Sequence, residues 1–207
     1  MVKQLTKAIT KQKQNKLLQF EPYDKQLAFL NAGATQRVRG FMAGNRCGKT
    51  YAGSMEGAMH LTGIYPKWWK GKRFDNPTKV WAGSDTTEST RDILQEAYMG
   101  GKLEEDWGTG AIPKENIVKT TKRQGVADAI DTIWVRHSSG GLSEITFKSY
   151  DQGRKKWQGT SRDFIQLDEE PPTDIWSEAF TRTMTTKGHI IITFTPLNGL
   201  TEICEQL

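Results

Sequence analysis

At 207 residues, with 36% hydrophobic and 26% charged side chains, the chain has the size of one domain with a full core and leaves no room for a second catalytic domain. It shows no secretory leader and no apolar run able to span a bilayer, which points to a soluble intracellular protein; two distant cysteines, Cys47 and Cys204, exclude a disulfide framework and a zinc site. The net charge of +5 is uneven, because Lys3, Lys7, Lys11, Lys13 and Lys16 precede the first acidic residue, Glu21, so residues 1–19 read as a basic segment ahead of a formally balanced domain at 20–207.

After that lead, residues 17–33 carry Tyr23, Leu27 and Leu30 at helical spacing behind Pro22. An aromatic ring stacks on a base and a Gln amide both donates to and accepts from adenine, so Tyr23 and Gln26 are candidate adenine contacts; the plainer reading puts them in the core and on the surface. Residues 36–42 end in apolar side chains and read as a strand. Residues 50–61 place Ala, Met and Leu at helical spacing. Between them stands AGNRCGKT, residues 43–50.

A Gly-rich turn between a strand and a helix aims backbone N–H groups and the helix N-terminus at the phosphates of a nucleotide. Gly44, Asn45, Arg46, Cys47 and Gly48 would wrap them, Lys49 would reach the β- and γ-phosphates, and the Thr50 hydroxyl would ligate Mg²⁺. The octet departs from G-x-x-x-x-G-K-[ST] by holding Ala43 where Gly is expected. Arg46 adds a second cation, placed to stabilise charge developing on the γ-phosphoryl group, or else simply solvated.

Residues 62–77 crowd Pro, Gly, Trp and basic residues into a loop, where Trp68, Trp69 and Phe74 would cover the sheet edge. Residues 78–84 read as a buried strand and 86–99 as a helix. Residues 100–129 lack a sustained period and read as a connection. Residues 132–137 and 143–150 alternate around SSGG as a β-hairpin. In the polar link at 151–163, Arg154, Lys155, Lys156 and Arg162 face nucleotide, DNA or solvent.

FIQLDEEPP, residues 164–172, has the form of a buried strand delivering Asp168 to Mg²⁺, followed by Glu169 to deprotonate the attacking water. Glu170 is the rival base, because strand alternation puts it on the face of Asp168. A helix follows over 172–188, capped near Thr173 or Asp174, then a buried strand over 189–199. Hydroxyls of Thr193 and Thr195 at that strand end would sense the γ-phosphate or the lytic water. His60, His137 and His189 form no ligand cluster and read as structural, and residues 201–207 form a short helical tail.

Taken in order, FEPYDKQ, MAGNRCGKT, SYDQGRKKWQGT, FIQLDEEPP and IIITFTPLNG resemble the N-terminal ATPase domain of the large terminase subunit of tailed bacteriophages and prophages. The resemblance covers nearly everything from Phe20 onward. It implies hydrolysis of ATP with Mg²⁺ to drive double-stranded DNA into a preformed capsid. It also implies an adenine segment at Tyr23 and Gln26, a variant phosphate loop with Arg46, Walker B Asp168, catalytic Glu169, and a coupling motif at 193–196. Implied likewise are a ring of subunits on a portal protein, a small terminase partner and a site of action in the host cytoplasm, with no membrane contact. The C-terminal nuclease of such proteins has no counterpart in these residues, so the chain reads as an ATPase fragment, monomeric when isolated.

The expected fold is a three-layer α/β P-loop NTPase with a mostly parallel central sheet plus a β-hairpin. A helicase-like translocase shares both motifs but normally needs a second motor domain. A small-molecule kinase of this length would need an acceptor pocket and a lid. Glu169 argues for activated water, and so against both a kinase and a nucleotide-gated binding module without turnover.

Overall fold

The computed structural model describes residues 15–196 and 201–206. Lys3, Lys7, Lys11 and Lys13 of the basic segment, and Leu197, Asn198 and Gly199 of the last expected strand, lie outside the described residues. Two short helices, α1 (Lys16–Gln19) and α2 (Asp24–Ala32), lead into β1 (Val38–Met42) and then α3 (Lys49–Thr62). Next come β2 (Lys79–Ser84), the short helices α4 (Thr87–Ser89) and α5 (Glu96–Met99), and three strands, β3 (Ile117–Lys122), β4 (Ile130–Arg136) and β5 (Leu142–Ser149). The described chain closes with β6 (Phe164–Asp168), α6 (Thr173–Met184), β7 (His189–Phe194) and α7 (Glu202–Gln206).

All seven strands form one sheet in the order β1-β7-β6-β2-β5-β4-β3. The first five are mutually parallel, and β4 and β3 continue antiparallel. Strands β6 and β7 are buried at every position because helices cover both faces, which is why they read as continuous apolar runs. On one face, Met55, Ala58, Met59 and Leu61 of α3 pack with Val80, Ala82, Ile133, Ile145 and Phe147. On the other, Ile175, Trp176 and Ala179 of α6 pack with Trp81, Ile165, Leu167, Ile190 and Ile192. The expected three layers are therefore present. β5 differs: its side chains alternate between buried and half-buried, so the α6-side face of the sheet is only partly covered beyond β2.

The expected hairpin is present as antiparallel β4 and β5, and β5 joins it to the parallel sheet by pairing with β2, from Lys79 opposite Glu144 to Ser84 opposite Ser149. Three expectations need correction. The supposed connection contains β3, an edge strand whose IVKTTK side chains are half or fully exposed and therefore show no apolar period. The helix over 86–99 is interrupted, since α4 and α5 flank a π-helical turn at Thr90–Gln95. Thr90 and Gln95 explain that turn's register: the Thr90 hydroxyl donates to Lys148 O (2.9 Å) and Gln95 Oε1 accepts from Ile130 N (2.7 Å). Finally, α6 starts behind Pro172 with no side-chain cap.

Trp69 is buried against the α3 side of the core, and Phe74 sits edge-on to His60 and His189. The aromatic loop thus closes the N-terminal end of the sheet, not its lateral edge. His60 completes a buried group there. Arg39 grips Glu56 through two guanidinium nitrogens, at 2.5 and 3.2 Å, and His60 Nε2 lies 3.3 Å from the same carboxylate. Glu56 and His60 are fully buried.

Candidate functional site

The C-terminal ends of the parallel strands share one rim, the side of an α/β sheet where ligands bind. β1 ends at Met42 and the octet 43–50 curls over that rim into α3. Gly48 is the helix N-cap with φ of +69°, and a Cβ there would meet Gln26 Nε2 at 2.9 Å, so conformation and space both require glycine. Arg46 also has positive φ, at +62°, and its exposed side chain makes no hydrogen bond or ion pair among the described residues.

Lys49 is 7% exposed, and its ammonium donates to Ala43 O (2.8 Å), Gly44 O (2.8 Å) and Thr195 Oγ1 (3.0 Å). Asn45 accepts from the Thr195 hydroxyl at 3.0 Å, which ties the end of β7 to the loop. Behind the loop, Gln26 Nε2 donates to Gly48 O (3.0 Å) and the Tyr23 hydroxyl donates to Cys47 O. Both expected adenine residues therefore lie against the loop backbone. Tyr23 keeps half of its ring exposed, whereas Gln26 is buried. Cys47 is exposed.

Thr50 and Asp168 meet, as the spacing of the two motifs requires. The Thr50 hydroxyl donates to Asp168 Oδ1 at 2.6 Å, and Thr193 donates to the same oxygen at 2.6 Å. Thr193 is thus a neighbour of Asp168, while Thr195 is the hydroxyl at the phosphate loop. Burial pushes the Asp168 carboxyl up to about 6, against the two hydroxyl hydrogen bonds, with Glu169 adding repulsion and Lys49 opposing it. A buried carboxylate without a full ion pair, joined to a hydroxyl, is a hard oxygen donor set that fits Mg²⁺.

The strand ends at Asp168, and Glu169 turns the chain with φ of +63°. That turn separates the adjacent carboxylates. Glu169 Oε2 accepts from Thr195 N at 3.4 Å, within the loop cluster, while Glu170 lines a different depression with Asp85, Asp151 and Pro172. Tyr150, 6% exposed, supports the turn: its hydroxyl lies 3.1 Å from Asp168 O and 3.0 Å from Glu169 O. Gln166 is the other buried polar anchor. Its Nε2 donates to Thr50 O (3.2 Å), and its Oε1 accepts from the Tyr98 hydroxyl (2.8 Å).

A family model described as "Terminase large subunit, T4likevirus-type, N-terminal" matches residues 40–206. The chain belongs to the terminase large-subunit family. It is 40% identical over 208 residues to the large terminase subunit of Salmonella phage P22, covering 92% of this chain and 42% of that protein. Among solved structures, the large terminase of a thermophilic bacteriophage shares the fold at a TM-score of 0.54 and 14% identity, over 84% of this chain and 39% of that one. Another crystal form of the same thermophilic phage terminase, in complex with ADP, matches at a TM-score of 0.52 and 13% identity, with the same coverage. This terminase chain therefore spans less than half the length of the relatives it matches.

Two contributors to this terminase site are easy to overlook in sequence. Gln166 signals itself only as an amide inside an apolar run, and Tyr150 only as an aromatic after a strand. Thr193 and Thr195 of the segment that the resemblance makes a coupling motif stand between Asp168 and the loop.

Proposed function

We propose that residues 20–207 form the ATPase domain of a phage large terminase subunit, binding ATP with Mg²⁺ and hydrolysing it to power packaging of double-stranded DNA into a procapsid. The observation that carries this reading is the 2.6 Å contact from Thr50 to Asp168 beside a buried Lys49, which brings the two halves of a phosphoryl-transfer site together from residues 118 positions apart.

In this reading, Gly44, Asn45, Arg46, Cys47 and Gly48 surround the phosphates with backbone N–H groups. Lys49 exchanges the carbonyls of Ala43 and Gly44 for phosphate oxygens. Thr50 and Asp168 hold the magnesium ion, which supplies charge neutralisation at the β- and γ-phosphates. Glu169 accepts the proton of the attacking water, and Arg46 stabilises charge on the transferred group. Tyr23 stacks on adenine through its exposed face, and Gln26 reads the base edge while bracing Gly48. Thr193 and Thr195 link Asp168 and Lys49 to β7, so that a change at the γ-phosphate is felt by that strand. Double-stranded DNA, a portal protein, a small terminase subunit, a homo-oligomeric ring and the host cytoplasm are proposed from family membership.

Steady-state phosphate release with Mg²⁺–ATP, with and without linear duplex DNA, tests the reading. Hydrolysis by the wild type and none by Glu169→Gln is expected. Tight ATP binding without turnover by the wild type, even with DNA, would mean a nucleotide-gated binder instead.

A further inference from the structure

On the α6-side face of the sheet, past the point where α6 stops covering it, lies a cleft of about 310 Å³ lined by Thr87, Arg123, Asp131, Thr146, Lys148 and Lys156, among others. Lys148 is the penultimate residue of β5, which runs parallel to β2 and β6, so the cleft opens on the same rim as Asp168. It is separated from β6 by two strand spacings, about 10 Å across the sheet, and from β1 by four. One triphosphate seated on the octet does not fill it.

The charges in this cleft are unbalanced. Lys148 pairs with no carboxylate among the described residues; its ammonium donates to Lys156 O and sits 4.5 Å from the Trp81 ring centre, whose ring is also 4.5 Å from the Arg162 guanidinium. Arg123 reaches Asp131 at 3.3 Å with Nη2, yet its Nη1 is buried with no partner among the described residues. Burial, followed by repulsion from Arg162, pulls the Lys148 amine down to about 8. Asp131 is the cleft's single carboxylate against Arg123, Lys148 and Lys156.

We propose that the cleft formed by Arg123, Lys148 and Lys156 is a binding site for phosphodiester groups of duplex DNA, beside the nucleotide site on the same rim. The inference rests on DNA being the cargo, as in the function proposed above. Backbone phosphates suit the cleft itself, whose cations surround buried Trp81 and Trp157 and offer no ring face to a base; the half-exposed ring of Trp134 stands two strands from β2 with the Lys119 ammonium 5.1 Å from its centre. The half-open face of β5 and β4, carrying Thr146 and Trp134, continues the cleft laterally and gives a rod-shaped ligand room to lie along the sheet.

Two readouts on the 207-residue chain test this. The affinity for a random-sequence linear duplex is measured by fluorescence anisotropy across a salt series for the wild type, Arg123→Gln and the exposed, structurally undemanding Lys156→Gln. Each variant is expected to reduce the slope of log affinity against log salt by about 1, with an unchanged melting temperature for Lys156→Gln. In parallel, acetylation of Lys148 by a limiting acylating reagent is followed by peptide mass spectrometry, alone and with duplex DNA, inorganic phosphate or Mg²⁺–ATP. Protection by duplex DNA alone is expected. Equal protection by phosphate or ATP would assign the cleft to a small anion and overturn the DNA assignment, as would unchanged salt slopes. ATP binding without protection by DNA removes the cleft and leaves the nucleotide site standing; protection by DNA without ATP binding does the reverse.

Discussion

The hydroxyl of Tyr150 lies 3.0 Å from the carbonyl oxygen of Glu169, a non-glycine residue held at φ of +63°. A left-handed backbone at such a residue costs about 1–3 kcal/mol and persists only where neighbours enforce it. The enforcing contact comes from the SYDQG segment that follows β5, so the direction of the Glu169 side chain is set by a residue 19 positions away.

Tyr150→Phe removes, without changing shape, the one hydroxyl hydrogen shared among Gly83 O, Asp168 O and Glu169 O, a loss of about 0.5–1.5 kcal/mol. The expected outcome is a roughly tenfold or greater fall in kcat for ATP hydrolysis, with affinity for a fluorescent ATP analogue unchanged. Equal losses in both would mean that Tyr150 merely supports the fold.

Glu169→Gln and Glu170→Gln are expected to behave differently, because the turn at Glu169 sends the two carboxylates to different places. Glu169→Gln retains nucleotide binding and loses hydrolysis by about 100-fold or more, the usual contribution of a general base. Glu170→Gln turns over normally. The reverse pattern in a phosphate-release assay would transfer the base to Glu170.

Removing Arg39 strands a fully buried carboxylate. Arg39→Leu should destabilise the domain by about 3–5 kcal/mol, whereas pairing it with Glu56→Leu should recover much of that loss. Urea unfolding of the single and double variants decides it; two additive losses would mean that the pair acts only through packing.

Two buried groups should lose their stabilising weight at different pH as acid is added. His189 is held down to about 4 by burial and by Arg39, so its contribution is complete above the ordinary imidazole range near 6.5 and drains away as pH falls toward 4. Glu56 is held at about 2: burial works against its charge, but Arg39 and hydrogen bonding by His60 prevail. Its contribution is complete above 4.5 and is lost as pH falls toward 2. Asp168, held up at about 6, takes up its proton first in the folded protein and offsets the loss at His189 between about pH 6 and 4, so that loss is read as a difference. The melting temperature of the wild type minus that of His189→Gln should shrink as pH falls from 6.5 toward 4, and a difference unchanged between about pH 7 and pH 5 would contradict it.

The parallel core was legible because burial on both faces writes itself as apolar runs, as in β6 and β7, and the octet at 43–50 announced its turn through Gly48. β3 was not legible, since an edge strand with exposed Lys119 and Lys122 leaves no hydrophobic trace. The approach of Thr50 to Asp168 followed from motif logic. The attachment of Thr193 to Asp168 and of Thr195 to Lys49 did not, because two hydroxyls on one strand end differ only in where tertiary packing points them. The ion pair of Arg39 with Glu56 was equally hidden: neither residue is near the other in sequence, and each alone reads as a surface charge.

Gln166 gives the domain a mechanical property. By holding Thr50 O with its nitrogen and the Tyr98 hydroxyl with its oxygen, it clamps the first turn of α3 and the helix after the π-helical turn to the middle of β6. These three elements are held in register, so a displacement of the octet's end at Thr50 carries the first turn of α3, α5 and the middle of β6 as one body and is not absorbed as local slip.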